Sequence, residues 1–198
     1  MVFRYLDKSG KHQIQISNTN LKLYNTIRMK AEVDRMDRSI QLRKMTEKEF
    51  ESYSLYHIEH HAAGLVKDKG ISMEEARLEV EARLPQMLPD GKDTQDNYLM
   101  VIERKVDSAI VGYMWFIYDR RRDTYLFLCD FHVLEEERRK GYGEEALYEM
   151  DEVARQLLCK KCVLFVADAN VNARKLYEKC GYIYRNEREN GRYMDKDV

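Results

Sequence analysis

The sequence predicts an α/β chain built on a mixed, mostly antiparallel central sheet flanked by helices, in the order β-α-α-β-β-β-α-β-α-β-β. Three observations predict it. Residues 98–103, 109–118 and 125–133 are successive apolar runs parted only by charged turns, which reads as an antiparallel meander. Helical patterns at 143–158 and 170–179 then separate the run at 125–133 from those at 163–167 and 182–186, which reads as two right-handed crossovers. Two capping boxes, Thr46-Glu47-Lys48-Glu49 and Ser72-Met73-Glu74-Glu75, open a helix pair ahead of the meander.

The elements follow in order. Residues 1–38 have no sustained period. A turn at 7–11, a short strand at 13–16 and a polar helix at 22–37 are expected there, within an N-terminal extension; an alternative is that the natural start is Met29 or Met36. A domain spanning 39–198 opens on the alternating strand Ile40-Gln41-Leu42-Arg43. Phe50, Tyr53, Leu55, Tyr56 and Ile58 support the first helix, which Gly70 stops. Ala76, Val80, Leu84 and Met87 recur at helical spacing in the second. Ala146, Leu147, Met150, Val153, Ala154 and Leu157 share one face of the third. The run 163–167 suits a fully buried strand. Asn190-Gly191 signals a closing hairpin.

Composition narrows the function classes. A net charge of −1 supplies no global field for nucleic acid or a membrane surface, and no apolar run is long enough to span a bilayer. The N-terminus lacks a signal-peptide apolar stretch, so the expected compartment is the cytoplasm, with the four cysteines as free thiols.

Chemistry concentrates in residues 125–147, where a buried strand, a charged loop, a glycine turn and a helix start follow one another. The turn is Arg138-Arg139-Lys140-Gly141-Tyr142-Gly143. Glycines there let the backbone approach an anion, and the first N–H groups of a helix have no internal partner, so the turn is a phosphate-site candidate. A Walker loop fails because Glu144-Glu145 follow Gly143. A dinucleotide fingerprint matches Gly141-x-Gly143-x-x-Ala146, with Asp168 after the next strand. Against it, residues 134–140 separate the strand from the glycines, and too little chain follows Asp168 for a doubly wound sheet.

A third reading joins two segments. Arg138-x-x-Gly141-x-Gly143 at a helix head resembles the acetyl-CoA signature of the GNAT superfamily of N-acetyltransferases. Asn170-x-x-Ala173-x-x-Leu176-Tyr177-Glu178-Lys179-x-Gly181-Tyr182 resembles that family's second signature, with Tyr for the final Phe. The resemblance runs from about residue 40 to the end and includes the element order.

The resemblance implies an acetyl-CoA co-substrate and direct acetyl transfer to a primary amine, carried by a small molecule or a peptide. Charge, apolar-run length and ligand spacing give no expectation of a nucleic-acid partner, a membrane or a metal, and a homodimer is left open. A degenerate coenzyme A sensor or interaction module of the same fold is the alternative. The coenzyme pyrophosphate would lie on the amides of Arg139, Lys140, Gly141, Tyr142, Gly143 and Glu144, with the Arg138 side chain beside them. Phe131, His132 and Val133 would meet the pantetheine arm, and Asn170, Ala173 and Tyr177 complete the coenzyme set. Tyr177 would protonate the departing thiolate, as a phenol of pKa about 10 can at neutral pH. Asp130, a carboxylate in an otherwise apolar strand, is the first choice to deprotonate the amine, directly or through water, ahead of Glu103 and His132.

Other clusters read as structural. Cys159-Lys160-Lys161-Cys162 has no second pair and reads as two packed thiols. His57 and His61 lie one helical turn apart without an evident third ligand, and with Tyr53 and Tyr56 they face either solvent or an acceptor. Arg120-Arg121-Arg122 reads as a charged hairpin turn.

Overall fold

The structure, a computed structural model, describes the strands at residues 3–6 and 12–15 and all of residues 38–120 and 124–198. The chain forms two units, Met1–Arg38 and Ser39–Val198. In the first, β1 (Phe3–Leu6) pairs antiparallel with β2 (His12–Gln15), overlapping the strand expected at 13–16. The turn expected at 7–11 and the helix expected at 22–37 lie outside the described residues, as do positions 121–123 of the charged turn.

The second unit runs β3 (Ile40–Lys44), α1 (Glu47–Lys69), α2 (Met73–Met87), β4 (Asn97–Arg104), β5 (Ile110–Asp119), β6 (Tyr125–Val133), α3 (Tyr142–Gln156), β7 (Lys161–Ala167), α4 (Val171–Lys179), β8 (Ile183–Arg188) and β9 (Gly191–Asp197). This is the order that the sequence predicts. Both capping boxes form. Thr46 and Ser72 each accept from the backbone N–H three residues on, and Gly70 ends α1 in the left-handed region at φ 68°. The sheet order is β3-β4-β5-β6-β7-β9-β8, with only β6 and β7 parallel.

The closing turn differs by one residue from an Asn-Gly hairpin. Arg188 pairs with Gly191, so Glu189 and Asn190 form the turn, and Asn190 alone takes positive φ. Gly191 is the first residue of β9, where a Cβ would lie 2.3 Å from the Phe165 ring. Its role is close packing against β7.

The centre of the sheet is covered on both faces, whereas β8 is exposed throughout and β7, expected as a fully buried strand, alternates, with Phe165 exposed. Met114, Phe116, Leu126 and Leu128 pack with Leu147 and Met150 of α3 and Tyr177 of α4. On the opposite face Leu99, Val101 and Trp115 pack with Tyr53 of α1. Removing such large side chains from water is the main stabilising term.

Two irregularities shape the centre of the sheet. First, β6 pairs with β7 only from Tyr125↔Lys161 to Leu128↔Leu164. Beyond that point β7 continues against β9 and β6 against β5, so the strands part and the β7-facing edge of residues 129–133 has no strand partner. Secondly, Trp115 lies opposite Asp130 and Phe116 opposite Leu128, which leaves Cys129 as an unpaired bulge residue.

Candidate active site

The bulge decides which side chains reach the site. Strict alternation would put Asp130 on the α3 face with Leu126 and Leu128. The extra residue shifts the phase, so Phe131 and Val133 join the α3 cluster while Asp130 and His132 turn towards α1. There Tyr53 Oη donates to Asp130 Oδ2 at 2.8 Å, and His57 Nδ1 is 3.2 Å from the same oxygen. Tyr56 Oη and His132 Nδ1 share a hydrogen bond at 2.6 Å. His57 and His61 lie one helical turn apart, their rings tilted at 42° with centroids 4.1 Å from each other. A carboxylate, two tyrosines and four histidines (57, 60, 61 and 132) thus line one side of the sheet at the point where β6 leaves β7.

Burial sets the electrostatics. Burial by itself raises the Asp130 carboxyl, but hydrogen bonds from His57 and Tyr53 and the neighbouring His61 outweigh it and hold the group at about 2. Burial, then the charge of His57, pushes His61 down to about 4. Burial also lowers His132, with Arg138 adding to the effect. The Cys129 thiol rises to about 12 and Tyr56 to about 12, each through burial and then Asp130. Tyr177 is 7% exposed, and burial followed by the charge of Asp130 raises it well above the ordinary phenol value. Its phenol is therefore protonated at neutral pH and lies within electrostatic range of Asp130.

The glycine turn is the second part of the site. Gly141 takes φ 92° and Arg139 φ 62°; of the two glycines only Gly141 uses the left-handed region. Gly143 serves packing, since a Cβ there would lie 3.2 Å from Leu176 of α4 and 3.6 Å from Phe131. No side chain caps α3, whereas Thr46, Ser72 and Asn170 cap α1, α2 and α4. The first N–H groups of α3, from Tyr142 and Gly143, have no intrahelical acceptor and carry the positive end of the helix dipole. Arg138 Nε donates back to the Val133 carbonyl at 3.0 Å, Lys140 pairs with Glu137 at 2.9 Å, and Glu144 pairs with Lys179 of α4.

The other predicted positions are accounted for. Asn170 Oδ1 accepts from Ala173 N at 3.2 Å and caps α4. Glu103 is bonded to Gln41 and Arg43, in a network with Glu49. Cys159 and Cys162 are buried free thiols, each with its pKa raised by burial. His57 stands at the centre of the Asp130 cluster, a place that helical spacing alone could not assign; the signal was the i, i+4 histidine pair facing a carboxylate in an apolar strand.

The site thus combines a split sheet, an uncapped glycine-headed helix and a buried tyrosine on α4. The Acetyltransferase (GNAT) family model matches residues 52–182. The chain belongs to this family and is an acyltransferase of the N-acetyltransferase type. It is similar to the uncharacterized N-acetyltransferase YycN of Bacillus subtilis, at 33% identity over 145 residues, covering 73% of this chain and 92% of that protein. The crystal structure of YycN aligns at TM-score 0.70 and 32% identity over 75% of this chain and 95% of that one. The PaiA N-acetyltransferase of Thermoplasma acidophilum, solved with coenzyme A, shares the fold at TM-score 0.62 and 18% identity, over 81% of this chain and 100% of that one. Spermidine N-acetyltransferase of Vibrio cholerae, solved with coenzyme A and spermine, does so at TM-score 0.59 and 16% identity, over 80% of this chain and 95% of that one. Among the described residues no helix is long and apolar enough to cross a membrane.

Proposed function

We propose that the protein moves an acetyl group from acetyl-CoA to a primary amine by direct attack within a ternary complex, with residues 39–198 as the catalytic domain. The carrying observation is the parting of β6 from β7 directly beside the uncapped N-terminus of α3. An unpaired strand edge offers N–H and C=O groups to the amides of a pantetheine arm, and the helix head offers N–H groups to its pyrophosphate.

The coenzyme would lie along Phe131, His132 and Val133 and over the turn from Arg138 to Glu144. An N–H of the free edge would bind the thioester carbonyl and stabilise the tetrahedral oxyanion. The amine enters from the α1 face, where Asp130 supplies an anion for its ammonium. Because Asp130 Oδ2 already accepts from Tyr53 and faces His57, the proton passes to the Asp130–His57 pair, directly or through water. The neutral amine attacks the thioester carbon, the carbon–sulfur bond breaks and Tyr177 protonates the leaving thiolate; the second proton of the attacking nitrogen then passes through water to the Tyr177 phenolate, leaving a neutral amide. Asn170 and Ala173 hold α4, and thus Tyr177, in place.

An amine library screened for thiol release from acetyl-CoA tests this reading. Turnover with at least one primary amine, together with stabilisation by coenzyme A in a thermal shift, is the expected result. Stabilisation without turnover on any amine would instead identify a coenzyme A-binding module.

A further inference from the structure

The helix-spaced pair His57 and His61 acquires in the fold the third donor that its spacing lacks. Asp130 comes from a strand 73 residues after His57, and the bulge at Cys129 turns it onto the helix. One ring nitrogen from each histidine and one carboxylate oxygen lie within 4.8 Å of one another.

We propose that His57, His61 and Asp130 form a binding site for a single divalent cation of the zinc class. The donor set is two imidazoles and a carboxylate, which suits zinc and its first-row neighbours better than magnesium or calcium, whose ligands are oxygens. Zinc–donor bonds of about 2.0–2.2 Å place tetrahedral donors roughly 3.4 Å apart. His57 Nδ1 and Asp130 Oδ2, at 3.2 Å, already have that spacing. The His61 nitrogen lies within 4.8 Å of both and would move inward on binding.

Two further observations support the site. His61 Nε2 is buried and has no hydrogen-bond partner, so this ring is not satisfied by the protein alone. Tyr53 Oη donates to Asp130 Oδ2, the outer-shell bond that typically orients a ligating carboxylate. Three protein ligands leave a coordination position for water or an exogenous group. An ion held here would engage Asp130 and His57 and reverse the local charge that draws in an ammonium. Zinc would therefore inhibit amine acetylation. That consequence rests on the proposed function; the binding site does not.

The test uses the full chain stripped with a chelator and titrated with Zn²⁺ by calorimetry, then with Co²⁺ followed by visible absorption. One Zn²⁺ per chain, Co²⁺ d–d bands without a thiolate charge-transfer band, and no response to Mg²⁺ are expected. The double variant His57→Gln/His61→Gln should lose at least about a hundredfold in Zn²⁺ affinity, while coenzyme A still stabilises it in a thermal shift. Unchanged Zn²⁺ binding by that variant, a thiolate band, or no saturable binding by the parent chain would each overturn the site. Failure of amine turnover would leave this metal titration intact, so the two readings fail separately.

Discussion

Trp115 faces Asp130 across the β5–β6 ladder, and the next pair is Phe116 with Leu128. The single residue between, Cys129, puts a carboxylate on the α1 face of a strand whose alternation would have buried it among leucines. Unpaired burial of that charge would cost several kcal/mol, so the bulge is a condition for having Asp130 in this strand.

Asp130→Asn preserves shape and removes the anion. Under the proposed mechanism kcat should fall by about 10²–10⁴-fold, while coenzyme A binding persists, because the glycine turn is untouched. Steady-state kinetics beside a coenzyme A titration checks this; near-parental kcat would remove Asp130 from the mechanism.

Tyr177→Phe deletes one hydroxyl, and the ring still packs against Tyr182 at 5.8 Å. Turnover should drop by about a hundredfold or more with an intact melting temperature. An aryl thioester donor, whose leaving thiolate needs no acid, should recover much of the loss. Equal defects with both donors would assign Tyr177 to packing alone.

Gly141→Ala meets no atom within 4 Å but forces an alanine to φ 92°. The expected penalty is about 1–2 kcal/mol, with weaker coenzyme A binding as the turn relaxes. Urea denaturation and a coenzyme A titration measure the two effects separately.

Gly112→Ala fails for a different reason. Its Cβ would lie 2.3 Å from the His132 carbonyl oxygen and 3.1 Å from the Val133 Cα, so β5 and β6 must separate beside the proposed coenzyme edge. Destabilisation of about 1–3 kcal/mol is expected, together with loss of turnover larger than that of Gly141→Ala. Retained activity would show that the strand end tolerates displacement.

Glu49 links acid stability to the start of α1. Its hydrogen bonds from Arg43 and Thr46 outweigh burial and hold it at about 2 in the folded chain, against about 4.3 for an ordinary glutamate. A carboxyl depressed on folding adds stability that is present above its unfolded value and is lost as pH falls towards its folded value. Between these values Arg43→Met should flatten the decline in urea midpoint with falling pH, relative to the parent chain. Superimposable pH profiles would show that the pair contributes nothing.

Element order, both capping boxes, the helix stop at Gly70, the glycine turn around Gly141 and the second signature through Tyr177 are all legible in the residues alone. Each is a local pattern read within a few residues, where capping, glycine freedom and apolar period act. The remaining features come from pairing and packing across the fold. The Cys129 bulge, the parting of β6 from β7 after Leu128, and the one-residue shift of the Asn190 turn depend on which residues pair across strands, and strand propensity within a segment carries no information about register. The meeting of His57 and His61 with Asp130 is the clearest case. Alternation assigns the aspartate to the wrong face, helical spacing leaves the histidines one ligand short, and only the unpaired residue at 129 brings the three together.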